Sequence, residues 1–207
     1  MVSQVKTAFI VLVALLIVVL GIAASAAVLF FRGGISARVA PTPLEVDLAR
    51  RLRRLGIDGP ARNLKNPLPR SAEVVHSGMA HFADHCAICH ANDGSGLTEM
   101  GSNLYPRAPD LRSSDTQGLT DGELLYIIEQ GVRLTGMPAW GDGSEESRRG
   151  SWALVHFIRH LPALSAVERL EMKSLNPKTR EEMQEEEDER RFLQHGTKGR
   201  PDAGHRH

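Results

Sequence analysis

Cysteine is almost absent from this chain. Two among 207 residues exclude a disulfide scaffold, and without a second pair they leave a four-ligand zinc site incomplete. Aromatic residues make up only 5%, so a domain of about 90 residues built from this composition has a thin protein-only core. Charge of one sign is not in excess either: 25 basic and 25 acidic side chains cancel, which argues against a nucleic-acid partner. No βαβ pattern is present to host a thioredoxin-like redox pair. No phosphate loop or nucleophile–base pair is evident, so enzymatic catalysis is not expected.

The two cysteines nevertheless sit together, in Cys86-Ala87-Ile88-Cys89-His90. In a shuffled chain of this composition the pattern arises on the order of 1 time in 2,000. Cys-x-x-Cys-His is the attachment pattern of c-type haem: two thiols bond the porphyrin vinyl groups and the adjacent imidazole ligates the iron. The i, i+3 spacing puts both thiols on one helical face. One covalent haem would also supply the apolar bulk that the aromatics do not.

Residues 8–31 carry no charge. As a helix they would measure about 36 Å, enough to cross a hydrocarbon core of roughly 30 Å. Ala24-Ser25-Ala26 resembles a signal-peptide cleavage site, but the apolar run continues to Phe31, which favours a retained transmembrane anchor over a cleaved signal. Residues 1–7 then form a cytoplasmic N-terminus. The positive-inside rule points the other way, because Arg32, Arg38, Arg50, Arg51, Arg53 and Arg54 follow the helix and only Lys6 precedes it. The haem decides for N-terminus in and domain out.

Residues 32–71 form a basic stalk with nine Lys/Arg against three Asp/Glu, punctuated by Pro41, Pro43, Gly56, Gly59, Pro60, Pro67 and Pro69. Within it Leu44, Leu48, Leu52 and Leu55 share one face of a short amphipathic helix surrounded by arginines. Such a helix is a spacer with a solvated charged face, or lies on lipid or against a partner helix. Residues 72–162 are acidic, with six basic against twelve acidic side chains, and form the working domain. A helix from about Ala72 runs into the haem motif; Ala91-Asn-Asp-Gly-Ser-Gly96 ends it. Thr120 with Glu123 forms a capping box opening a helix that stops at Gly131, and a last helix runs from about Glu146 to Leu161. Residues 163–207 read as peripheral: a charged helix around Glu181–Arg191, then a polar, histidine-containing tail expected to be disordered.

The haem motif, the helix before it and the loop Gly136-Met137-Pro138 together resemble class I c-type cytochromes, nearest to the single-haem, membrane-anchored bacterial type similar to the cytochrome c subunits of haem–copper oxidases and periplasmic dehydrogenases. The resemblance covers about residues 72–162. It implies an all-α fold of three to four helices around one haem, in which the first and last helices cross near a glycine and an aromatic. Gly78 and Phe82 match the first side, and Phe157 or Trp152 the second. It implies His90 and Met137 as axial ligands, with Tyr105, Arg107 and Trp140 along the haem edge and propionates, and a carbonyl from Pro106 or Pro109 against the ligand imidazole.

Met1 precedes the anchor, Met79 lies on the motif's own helix, and Met172 and Met183 fall in the charged tail, leaving Met137 ahead of Met100. His76, His81, His85, His156 and His160 are most simply surface or packing residues. His195, His205 and His207 are scattered over a tail that would bind metal only weakly. The expected function is electron transfer at the outer face of the bacterial inner membrane between redox protein partners, with no nucleic acid involved. The acidic domain favours a basic docking surface and an on-rate that falls with salt. The alternatives are a haem subunit of a fixed oxidase or dehydrogenase complex, and a haem-based sensor or peroxidase.

Overall fold

The computed structural model describes residues 2–32 and 36–196, and these are helical with no strand among them. Residues 197–207, which hold most of the expected disordered tail including His205 and His207, lie outside the described residues. The N-terminal helix α1 (Val2–Phe31) exposes every side chain from Gln4 to Leu29. That 26-residue stretch has the length and composition to cross a membrane.

Helix α2 (Pro43–Gly56) opens with a capping box in which Thr42 accepts from the Glu45 N–H and Glu45 accepts from the Thr42 N–H. A single turn, α3 (Gly59–Arg62), follows and rests on the domain: the Thr120 hydroxyl donates to the Arg62 carbonyl at 2.9 Å. Further along the same segment, the Asn66 amide donates to the Trp152 carbonyl at 2.8 Å and the His156 ring donates to the Leu68 carbonyl at 2.9 Å. Ile57 is buried. The C-terminal half of the basic segment is therefore held against the domain and does not hang free of it.

Helix α4 (Ala72–His81) starts at Ser71, whose side chain accepts from the Val74 N–H. A π-helical turn (Phe82–Cys86) and the short α5 (Ala87–His90) continue it to the end of the haem motif. The sequence pattern predicts one regular helix with Gly78, Phe82 and Cys86 on a common face. The π turn takes up an extra residue and moves Cys86 off that phase. Short helices α6 (Glu99–Asn103) and α7 (Ser114–Gln117) lie in the long loop that follows. The predicted capping box then opens α8 (Asp121–Gln130), with Thr120 and Glu123 satisfying each other's backbone N–H.

Helix α9 (Glu145–His160) is capped by Ser144, carries acidic residues in its first turn and basic ones in its last, and so suits the helix dipole at both ends. It buries every side chain from Ser151 to Ile158 because it runs between α4 and α8. The α4–α9 crossing is the centre of the core: Gly78 faces the Ala153 carbonyl, and the Phe82 and Phe157 rings stand 5.2 Å apart at 56°. Each buried phenylalanine contributes about 1.5–3 kcal/mol by leaving water. Of the two aromatics expected on the last helix, Phe157 makes this contact. A 3₁₀ turn (Leu161–Ala163) ends α9 at Pro162.

Helix α10 (Ala166–Leu175) returns to the core. Met172 is fully buried, and Glu168 and Glu171 reach His160 (2.7 Å) and His76 (2.8 Å). This part of the C-terminal segment packs on the domain. Beyond it, α11 (Arg180–Gly196) is charged and exposed from Arg180 to Gln194.

Candidate functional site

His90 is the last residue of α5 and is buried. The helix stops there because Ala91 has φ of +59°, a left-handed conformation unfavourable for a residue with a Cβ. Burial pushes the His90 imidazole below its ordinary value, and the Pro109 carbonyl partly opposes the shift. Proline has no N–H, so the carbonyl must be the interacting group, and of the two prolines left open by the sequence Pro109 is the one that faces the ring. The buried Nδ1 makes no hydrogen bond of normal geometry. An imidazole nitrogen buried without a partner is uncommon in a packed core and marks the ring as a candidate for contact with a bound group.

Cys86 and Cys89 flank the same turn as free thiols. Burial, and then Cys89, push the Cys86 thiol up to about 12, and burial raises Cys89 as well. Redox-active and nucleophilic cysteines need the opposite shift, so the pair lacks the electrostatics of a thioredoxin-like dithiol. Among the described residues no group of three His, Cys, Asp or Glu side chains gathers as metal donors, so the thiols have no companions for a zinc site.

Around this turn apolar side chains face outwards: Ile88, Leu97 and Met100 are all exposed. An open depression of about 570 Å³ runs along Ile88, Thr98, Glu99, Met100, Asn103 and Leu104. The Thr98 hydroxyl donates to the Ile88 carbonyl at 2.7 Å and approaches that of Cys89, so α6, which carries Met100, is tied to the motif.

Beyond the depression lies the loop after α8, which carries Met137. Gly131, at φ +66°, turns the chain back, where a Cβ would meet the Pro138 backbone. The Val132 N–H donates to the Met137 carbonyl at 3.1 Å, the Met137 N–H to Thr135 Oγ1 at 3.1 Å, and the Trp140 N–H to the Ile128 carbonyl at 3.1 Å. Leu104 packs on Gly136, joining this loop to the depression. Met137 is half-buried and outside the core cluster, whereas Met79 and Met172 are inside it. Leu134 has φ of +62°. Among the described residues, the two non-glycine positions at positive φ thus fall next to His90 and within the Met137 loop, and strain of about 1–3 kcal/mol each is typical of functional sites. Neither Ala91 nor Leu134 signals this in sequence, because neither residue type is selected for that conformation.

The remaining sequence candidates separate. The Trp140 ring stands edge-on to His85 at 5.3 Å, and His85 in turn to His81 at 5.0 Å, which brings Trp140 beside the haem motif. Tyr105 directs its hydroxyl away, to Glu45 of α2, and Arg107 is exposed on the same loop.

Residues 73–158 match the family model of cytochrome C oxidase, cbb3-type, subunit III. This segment is a c-type cytochrome domain. The match leaves α1 to α3, α10 and α11 outside. The cofactor of such a domain is covalent haem c, and the residues present fit it: two free thiols one turn apart, a buried imidazole with an unpaired nitrogen, and apolar side chains turned outwards around them. Haem supplies a one-electron carrier to the domain. The polypeptide supplies the orientation of the imidazole, the exclusion of water by the α4–α9 core, and the loop that follows the motif.

That loop is locked by charge. Arg112 grips Asp110 with two bonds of 2.9 Å and reaches Asp93 at 3.1 Å. The Arg112 guanidinium holds the Asp110 carboxyl below its usual range. A carboxyl depressed in the fold stabilises fully above its unfolded value of about 3.9 and loses this as pH falls through the folded value. Arg112→Met is expected to cost under about 1 kcal/mol at neutral pH, since the groups are exposed, and the gap to the wild type should close below about pH 4. Denaturant midpoints at both pH values check this; a gap that widens in acid contradicts it.

Proposed function

We propose that the protein is a membrane-tethered, single-haem electron carrier of a bacterial respiratory chain, with Cys86 and Cys89 holding the haem, His90 and Met137 as axial ligands, and the haem domain on the periplasmic side. The observation that carries the ligand assignment is the Met137 loop. Met137 belongs to a loop that meets the depression beside the motif through Leu104 and Gly136, on a backbone fixed by its own hydrogen bonds, which supports it as the second ligand. Met100 is carried by α6, which the Thr98 hydroxyl ties to the Ile88 and Cys89 carbonyls of the motif itself. The five histidines considered as substitutes have other engagements: His76 with Glu171, His160 with Glu168, His156 with the Leu68 carbonyl, and His81 and His85 with each other.

Part of the arginine excess that conflicts with the positive-inside rule serves contacts within the folded protein. Arg50 pairs with Asp115, Arg62 lies 3.8 Å from Glu123, and Arg51 pairs with Asp47. Two of the six arginines between 32 and 54, Arg50 and Arg51, thus serve contacts to the acidic domain and within α2, which makes their raw number a weaker guide to the cytoplasmic side. The test is spectroscopic. Full-length protein in mild detergent should show a low-spin ferrous spectrum, keep its haem through denaturing electrophoresis, and bind no carbon monoxide at neutral pH. Ready carbon monoxide binding would instead indicate a sensor or peroxidase.

The family match favours a second reading, a haem subunit fixed in an oxidase complex. Stoichiometric subunits surviving purification in mild detergent would establish that, and a clean monomer would leave the mobile carrier.

A further inference from the structure

An amphipathic helix beside a folded domain ordinarily turns its apolar face inwards. Helix α2 does the reverse. At about 100° per residue, Leu44, Leu48, Leu52 and Leu55 fall within an arc of roughly 80°, and they are 77%, 54%, 57% and 79% exposed. The side turned to the domain carries Val46 and Arg53, both half-buried, with Glu45 bonded to Tyr105 and Arg50 to Asp115 at its flanks. These contacts fix the rotation of the helix, so the leucine stripe points away from the cytochrome domain by construction. Burying it against the domain would break both polar contacts.

We propose that α2 lies in the membrane–water interface, with its leucine stripe sunk at the headgroup–acyl boundary of an anionic lipid surface, and clamps the haem domain against the bilayer. The inference rests on the tethered reading of α1. Continuity with that span selects lipid as the occupant. Eleven residues, 32–42, separate the end of α1 from the start of α2, and at about 3.5 Å each they reach at most about 40 Å. The stripe is therefore confined near the surface from which α1 emerges.

Charge supports the same occupant. Arg51 adjoins the stripe and Arg54 lies further round, both exposed, the arrangement by which interfacial helices meet anionic headgroups. Size argues against a protein partner as the main occupant. A helix of 14 residues is about 21 Å long, and one face of it offers well below the roughly 800 Å² per partner of a stable protein interface. As a second attachment beside a transmembrane helix, a stripe of this size suffices.

The test uses the full-length, haem-loaded protein in vesicles of zwitterionic lipid, with and without an anionic lipid. Leu48→Cys and Arg54→Cys each accept a spin label, Cys86 and Cys89 being occupied by haem. The expected result is that dissolved oxygen relaxes the label at position 48 severalfold more effectively than a water-soluble nickel chelate. At position 54 the order should reverse, and the depth at 48 should increase with anionic lipid. Relaxation by the nickel chelate at both positions overturns the proposal. So does a label at position 48 that is immobile and shielded from both reagents, which would mean a protein partner. Alkaline carbonate extraction, run separately, reports on α1: release of the protein removes the tether, whereas the label at position 48, read beforehand, decides α2 on its own.

Discussion

Met137→Ala is expected to abolish the weak ferric band near the red edge of the visible spectrum that a methionine–iron bond produces, and to lower the midpoint potential by on the order of 100 mV or more. A soft thioether favours ferrous iron, and its removal leaves water or a stronger donor in its place. The substitution is a clean one. The loop's path is set by the Val132, Met137 and Trp140 N–H groups and by the turn at Gly131, and none of these needs the methionine side chain. Met137 is also outside the core cluster, so alanine should leave the helical circular dichroism of the folded protein unchanged while the spectrum changes. Met100→Ala provides the contrast: its side chain lines the depression on a helix tied to the motif, and the band should survive. Retention of the band in Met137→Ala with loss in Met100→Ala would exchange the two assignments. Gain of carbon monoxide binding by Met137→Ala, absent from the wild type, is the companion result.

The parts of this architecture that were legible in sequence are those set by local rules. The haem motif, the capping box of Thr120 and Glu123, the stop at Gly131 and the termination of α9 at Pro162 each depend on residues within a few positions of one another, and the helices lie within a residue or two of where those signals place them. Phase and neighbours were harder to read. The π turn before Cys86 inserts a single residue into a helical pattern, and a period of 3.6 over ten residues tolerates that without visible conflict. Met172 sits in a charged segment, yet one apolar side chain per helix is enough to dock α10 when the recipient is a formed core. The choice of Pro109 over Pro106 depends on the direction of a carbonyl, which no composition encodes. Helix α2 shows the limit most sharply: periodicity reveals two faces but not which one the domain will accept. Here the acidic surface of the domain takes the arginine side, through Asp115, and leaves the leucines out.

Gly78 carries the second large effect. A Cβ there would stand 2.2 Å from the Ala153 carbonyl oxygen, 2.7 Å from its carbon and 3.0 Å from the Phe157 Cβ. The first two are backbone atoms of a helix buried on both sides, so nothing flexible can yield, and the crossing itself must open. Gly78→Ala is expected to destabilise by about 1–3 kcal/mol, even though alanine is the better helix former by roughly 1 kcal/mol. Gly78→Leu should exceed what a domain of marginal stability tolerates and yield no folded haem protein. Gly56→Ala serves as the control, because a Cβ there meets nothing within 4 Å, and it should be neutral or slightly stabilising. Denaturant unfolding of the haem-loaded protein, followed by helical circular dichroism, measures all three. The alanine variant also separates packing from ligation. Helix α4 runs through the π turn into the haem motif, so opening the crossing displaces His90 relative to the Met137 loop, which is held by α8. The methionine–iron band of Gly78→Ala should therefore disappear at a lower denaturant concentration than its helical signal, whereas in the wild type the two should vanish together. Coincident loss in the variant would mean that the crossing stabilises the fold without setting the distance between the two ligands.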